Sequence, residues 1–559
     1  MLWPSLSNST KFHPTQLKLH SSFAPLPSTL TPAASAAEKQ IPISNMNVKK
    51  ILSVVTFTTL FLFVFLSFRY YSSLDYLVGY TNIIHSSPTK PLNIGFSTIS
   101  QYRSGYLDKI KVVKAVNEEI VYTEVISKRI DPINKENFLE LNSSISIRLP
   151  SNLEEGLYYA QPYGKSKGAK IYFILRSNTA PINSSKYIGV IIPNFTHQSY
   201  NTYGGDSLYF QNLSKEIPFQ YLQLFYRQAI RIFLGDKDFA SGGLDIKQPQ
   251  SINLNRPNIQ GENFFKISFK DIWLFLPSKI KTLIEYKISK IPFHSIEHST
   301  IPVIKFLESK GFKWRIMSSE DLHKGTQVFQ EASLLLFLGH DEYWSSNMRT
   351  NVSQKLETSD AIIYSGNFCW WKVTIDEHSK KLSCYRNDYG YWHKLGFPEE
   401  NTFGLSFRFS GYSLGWRLNP KEASFLGVSE NEYKDSGTYY ILNEKHPVFS
   451  DIPINSGVLE VNNPVNYFES DGLPLTKLKE LNNTSDLIHI TPLAKTINYY
   501  GGIINRNIGI IEIKNKKGNG KILNFGSVGW TINTNHENSE ALKILHNAIL
   551  YLMNDNKGN

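Results

Sequence analysis

The chain has 559 residues, 59 Lys and Arg against 48 Asp and Glu (net charge +11), and is 41% hydrophobic, 13% aromatic and 19% charged. That length supports two or three domains with a sizeable core, and the composition is globular rather than disordered. The basic residues are mostly lysines scattered among Asn and Ser, without an Arg-rich stripe, which argues against nucleic acid as a partner. The two cysteines, Cys369 and Cys384, exclude a zinc site made of cysteines alone and a disulfide-rich scaffold.

Residues 1–50 read as an N-terminal tail. Up to residue 45 it is rich in Ser, Thr and Pro, carries one acid, Glu38, and contains no arginine. Met46 opens MNVKK and offers an alternative start. Residues 51–68, ILSVVTFTTLFLFVFLSF, are uncharged and strongly apolar, near the lower length limit for a helix that crosses a bilayer. Lys49 and Lys50 before the run favour a cytoplasmic N-terminus. The expectation is a transmembrane signal anchor with the globular part outside the cytoplasm. A cleaved signal peptide, giving a secreted protein, and a buried core helix are the alternatives. Residues 69–90 read as a linker.

Residues 91–181 hold short alternating stretches, among them KIKVVKAV, IVYTEVIS, SISIRLP and KIYFILRS, separated by turn residues. They predict a small antiparallel β-sandwich. From 187 to 555 short apolar runs alternate with helical patterns. YIGVIIP, KWRIM, LLLFL, AIIY, NIGIIEI and KILNF read as strands. Thr300-Ile301-Pro302 opens a helix that ends near Gly311, and the last helix begins at Asn538 or Ser539. The expected fold class is α/β, a mostly parallel, doubly wound sheet covered on both faces and preceded by the β-sandwich.

Ligands of open parallel sheets bind at the carboxyl ends of the strands, and the polar clusters of this chain fall there. NFTHQSYNTYGGDSLYF follows YIGVIIP, SSEDLH follows KWRIM, GHDEYWS follows LLLFL, SGNFCWW follows AIIY and GSVGW follows KILNF. His340, Asp341, Glu342 and Tyr343 form the densest group. Their side chains can move protons or ligate a metal. Asp341 and Glu342 also precede a predicted helix, where carboxylates cap free amides, but that reading leaves His340 and Tyr343 without a role. Ser365-Gly366-Asn367 follows a strand as a nucleophile would, yet Ile363 stands where a G-x-S-x-G elbow needs its first glycine. Cys369 reads as a disulfide partner of Cys384, with a thiol nucleophile as the alternative.

The ordered set SYNTYGGDSLYF, INLNRPN, GFKWRIMSSEDLH, LLFLGHDEYWSSNMR, AIIYSGNFCWWKV and LNFGSVGW, spread over roughly residues 90–553, resembles the C-terminal domain of the large subunit of N,N-dimethylformamidase. The resemblance implies a flavodoxin- or amidotransferase-like core and hydrolysis of small amides. It also implies a mononuclear iron held by two tyrosines and a glutamate. On that pattern Tyr343 matches one tyrosine and Glu400, or its neighbour Glu399, is assigned the glutamate. Trp314 stands where the second tyrosine is expected, and indole offers only an N–H donor.

Two functions follow as expectations. One is metal-assisted hydrolysis of a C–N bond, with His340, Asp341, Glu342 and Asn367 catalytic and Tyr200, Asn201, Tyr203, Gly204 and Arg256 binding a small-molecule substrate. The rival is an inactive surface protein that binds carbohydrate, with Tyr200, Tyr203, Tyr209, Trp344, Trp370 and Trp371 stacking on sugar faces. Self-association is left open.

Overall fold

Four of the apolar runs lie side by side at the heart of a nine-stranded sheet. In the computed structural model, which describes residues 76–555 apart from 86, 99–103, 132–143, 166, 177–185, 202, 204–205, 209–248, 258–294, 387–388, 410–437, 461–469, 501–502 and 535–538, these are β1 (Ile188–Ile192), β2 (Trp314–Ser318), β3 (Leu334–His340) and β4 (Asp360–Gly366). All four are parallel. Leu336 of β3 faces Val190 of β1 and Ile362 of β4. Helices α1 (Asn194–Tyr200), α2 (Ile301–Ser309), α3 (Ser346–Lys355) and α4 (Glu540–Asp555) belong to this half.

Successive strand residues point to opposite faces, and both faces are buried. Leu334, Leu336 and Leu338 join one apolar cluster with Val303, Ile304 and Leu307 of α2 and Ile544, Leu545 and Ile549 of α4. Leu335 and Phe337 join the other, with Met348 and Val352 of α3. Burial on both sides explains why β3 reads as an unbroken apolar run. Burying each such side chain contributes roughly 1.5–3 kcal/mol.

The rest of the sheet corrects the expected class. β5 (Thr438–Ile441), β6 (Val458–Glu460), β7 (Ile488–Tyr500), β8 (Ile503–Asn515) and β9 (Lys521–Asn524) complete the order β2-β1-β3-β4-β9-β8-β7-β5-β6. β9 runs parallel to β4, but β8, β7, β5 and β6 pair antiparallel. The sheet is therefore mixed. Strand residues outnumber helical ones, so the protein is mostly β and not a mostly parallel doubly wound α/β fold. The physical reason lies in the connection. Only Gly501 and Gly502 separate β7 from β8 in sequence, enough for a hairpin but far short of the dozen or more residues a parallel crossover needs.

Before β1 stand two further sheets. One has three antiparallel strands, Leu77–Tyr80, Leu92–Thr98 and Ser144–Ile147. The other has five, Ile84–His85, Ile171–Leu175, Gly156–Tyr163, Gly105–Lys114 and Glu119–Ile130, the first of them pairing in parallel. They share a core that includes Ile94, Phe96, Ile110, Val112 and Phe173. Two of these strands start inside the 69–90 stretch read as a linker. Arg176 reaches Asp321 at 2.8 Å and Arg315 reaches Glu155 at 2.7 Å, tying these sheets to the helix and strand around β2. A fourth small sheet joins Gln250–Asn253, Lys381–Cys384, Trp371–Asp376 and Tyr343–Ser345.

The single-pass placement is also corrected. Among the described residues no helix is long and apolar enough to cross a membrane. The run 51–68, on which anchoring and an extracytoplasmic location rested, lies outside the described residues, as does the tail before it.

Candidate active site

The site is assembled where β3 and β4 end. Gly339 and His340 pair with Ser365 and Gly366, so the segments that leave the two strands start side by side. They stay together: Cys369 N–H donates to the Asp341 carbonyl and Trp371 N–H to the Glu342 carbonyl, each at 2.9 Å. Tyr343 then pairs in parallel with Trp371. On the other flank, α1 follows β1 and presents Thr196, whose Oγ1 accepts the backbone N–H groups of Glu342 (2.9 Å) and Tyr343 (3.2 Å). Helix α3 is capped by Ser345, whose Oγ accepts Met348 N–H at 3.1 Å. Asp341 and Glu342 are thus not the caps of this helix.

Glu342 is the focus. It is buried, and its Oε2 accepts the Tyr200 hydroxyl hydrogen bond at 2.7 Å and lies 3.5 Å from His340 Nε2. The Tyr200 ring packs against His340 and, edge to face, against Tyr343, with centroids 5.3 and 6.2 Å away. The Tyr343 hydroxyl receives an N–H of Arg386, whose guanidinium lies 4.4 Å from the centre of the Trp371 ring. A carboxylate, an imidazole, two phenols and a guanidinium therefore converge.

Asp341 differs from Glu342. Among the described residues neither of its carboxyl oxygens has a hydrogen-bond partner, and burial pushes its pKa up to about 7, opposed by the neighbouring Trp344 indole. That indole donates to Asp341's own carbonyl oxygen at 3.0 Å. Near neutral pH this side chain can hold or release a proton, as a general acid requires.

With this geometry in view, the sequence profile described as "N,N-dimethylformamidase beta subunit-like, C-terminal" matches residues 98–539. The chain belongs to that family. No curated protein matches the sequence. Among solved structures, a cycloisomaltooligosaccharide glucanotransferase of Paenibacillus sp. complexed with cycloisomaltoheptaose is similar at 9% identity over 53% of each chain, with TM-score 0.16. A family 123 glycoside hydrolase from Clostridium perfringens is similar at 9% identity over 50% of this chain and 67% of its own, with TM-score 0.10. This chain spans about half the length of the first, and at such scores neither likeness bears on fold or activity.

In this N,N-dimethylformamidase-like chain the two residues given metal-ligand roles each have another partner. The Tyr343 hydroxyl faces Arg386, whereas Glu400 is ion-paired with Arg408. Trp314 is the first residue of β2, at the amino end of its strand and away from the carboxyl edge where His340 and Glu342 lie. Among the described residues no group of three or more His, Cys, Asp or Glu is placed to hold a metal ion. The metal-binding assignment is corrected accordingly.

The disulfide is corrected too. Cys369 and Cys384 are both free and buried. Cys369 sits in the turn after β4, with the Arg349 guanidinium 3.6 Å from its sulfur, while Cys384 pairs with Val373 inside the small sheet. Burial raises both thiols, Cys384 to about 12, which also removes Cys369 as a thiolate nucleophile.

The expected substrate-binding residues divide. Tyr200 reaches Glu342. Arg256 donates to the carbonyls of Gln198, Asn201, Asp206 and Tyr203 at 2.7–3.3 Å, and burial lowers its pKa to about 9. Asn201 bonds Gln198, Pro257 and the Tyr203 N–H, and the Tyr203 hydroxyl bonds Ser97 and the Thr98 carbonyl. These three hold the segment after α1. Gly204 and Tyr209 lie outside the described residues. Trp344, Trp370 and Trp371 are at most 5% exposed and pack against Phe368, Tyr391 and Phe403, so they present no open face to a sugar. Thr196 and Arg386 escaped sequence reading. Thr196 lies inside the polar run after β1, but no residue type marks it as a backbone acceptor, and the role of Arg386 needs the pairing of Tyr343 with Trp371.

Proposed function

We propose that this protein hydrolyses the C–N bond of an amide. The observation that carries the reading is the buried Glu342 carboxylate held between the Tyr200 hydroxyl and His340, at the carboxyl edge of the parallel strands, in a chain of the N,N-dimethylformamidase-like family.

Glu342 takes a proton from water as the water oxygen attacks the carbonyl carbon. Tyr200 orients the carboxylate by its 2.7 Å hydrogen bond. Positive charge at Arg386, beside the Tyr343 hydroxyl, stabilises the oxygen that becomes negative in the tetrahedral intermediate. As the C–N bond breaks, the nitrogen leaves with a proton delivered through His340 or Asp341, giving a carboxylic acid and an amine. Preorganised donors of this kind are typically worth a factor of about 10²–10³ in kcat.

The test is release of amine from N,N-dimethylformamide and from formamide by the purified full-length chain and by its Glu342→Gln variant. Turnover by wild type and its loss in the variant, at unchanged melting temperature, is the expected result. Equal turnover by both would overturn the assignment.

A further inference from the structure

The loop that carries Asn367 is bent in a way its sequence does not favour. Asn367 has φ +51° and Cys369 φ +55°, left-handed values that Asn tolerates but that are uncommon for Cys. Gly366, next to them, does not have a positive φ. A group outside the loop holds it.

That group is Asp471. Its Oδ1 accepts the Asn367 N–H at 2.8 Å and its Oδ2 the Phe368 N–H at 3.3 Å. Asp471 is only 1% exposed and is itself fixed. Its own N–H donates to the Gly526 carbonyl at 2.6 Å, and its neighbours Ser470 and Gly472 bridge to Ser527 and Ser406. Gly526 and Ser527 lie just past β9, the strand beside β4. From the clamped turn the chain passes to Cys369 and Trp371, whose N–H groups bond the carbonyls of Asp341 and Glu342. A contact path thus runs from Asp471 through the turn to the backbone of the two acids.

We propose that Asp471 is a positioning residue for amide hydrolysis. By bonding two consecutive backbone N–H groups it imposes the left-handed turn that seats Asn367 and fixes the Asp341–Glu342 backbone. This rests on the function proposed above. A carboxylate is required because both of its oxygens accept, whereas a carboxamide in the same place would turn an N–H₂ donor toward one of the amides.

The test uses the full-length chain and Asp471→Asn. Hydrogen–deuterium exchange of peptides covering residues 365–371 reads the turn, and hydrolysis of N,N-dimethylformamide reads the site. Exchange of the Asn367 and Phe368 amides is expected to rise at least tenfold. A fall in kcat of tenfold or more, with KM changed less than threefold, is expected beside it. Asp471→Glu, which keeps the charge but displaces it by one methylene, is expected to change both in the same direction and serves if Asp471→Asn does not fold. Unchanged exchange would overturn the clamp, and faster exchange with unchanged kcat would overturn its positioning role. If the wild-type chain hydrolyses no amide, the proposed function fails, and with it the role in hydrolysis, whatever the exchange shows about the turn.

Discussion

Asp341 offers a quantitative check because its carboxyl is buried with no hydrogen-bond partner on either oxygen among the described residues. In the folded protein its carboxyl is buried and titrates near 7, against 3.8 for the ordinary side chain. Below pH 3.8 both folded and unfolded chains hold the proton. Between 3.8 and about 7 the unfolded carboxyl ionises while the folded one keeps its proton, so the folded state loses stability as pH rises, and above 7 the loss is complete. Over that gap, at about 1.4 kcal/mol per pH unit, the loss comes to about 4 kcal/mol. Asparagine has nearly the same shape and cannot ionise. Asp341→Asn is therefore expected to gain on wild type by a few kcal/mol between pH 4 and pH 7.5, whatever its constant offset. Paired urea titrations at half-unit pH intervals, read by tryptophan fluorescence, measure the difference with the other titrating groups largely cancelling. A wild-type-minus-variant difference that stays flat across this window would refute the claim that Asp341 is a buried, protonated acid.

Other outcomes follow from the same geometry. Tyr200→Phe removes one hydrogen bond to a carboxylate, worth about 1.5–3 kcal/mol, and is expected to lower kcat for N,N-dimethylformamide by roughly one to two decades, measured by amine release. Arg256→Met removes a donor from four carbonyls, of which that of Gln198 keeps a backbone one, the Asn201 N–H, and is expected to cost at least about 3 kcal/mol in urea unfolding. Both cysteines are expected to resist iodoacetamide in the native protein and to be alkylated fully once it is unfolded without reductant; a linked peptide pair would restore the disulfide.

The parallel half of the sheet was legible because burial on both faces leaves a mark that survives in sequence. LLLFL and AIIY have no polar member to suggest an exposed side, and the polar residues gather where they end. The helix from Ile301 was legible from Pro302 and Gly311, and Gly311 does adopt a left-handed φ of +70° at its end. The antiparallel half was not. NIGIIEI is as rich in isoleucine as a buried parallel strand, and what decides its direction is its pairing with Ile488–Tyr500, a fact about register rather than composition. In the site, His340, Glu342 and Tyr200 could be found because their chemistry is rare at a strand end. Trp314 was matched to a ligand position by a short motif, which fixes neighbours in sequence but not the end of the strand on which they fall.

The two halves of the sheet contribute to the site in different ways. β1, β3 and β4 each release a polar segment from the same edge, and this alone brings Tyr200, His340, Glu342 and Asn367 into one neighbourhood. Neighbourhood is not geometry, because segments leaving strand ends have few partners of their own. The orienting contacts come from across the sheet order and from outside it: Thr196 on α1 holds the Glu342 and Tyr343 amides, and Asp471, docked beside the end of β9, holds those of Asn367 and Phe368. β9 lies next to β4 on one side and pairs with the antiparallel β8 on the other. The hairpin of β7 and β8 therefore does more than widen the sheet. Leu473, two residues past Asp471, bonds Ile508 of β8 through both its N–H and its carbonyl, so this hairpin carries the segment that stiffens the turn. A change that loosened β8 without touching any acid would reach the site by that route, and the exchange rate of the Asn367 amide would report it.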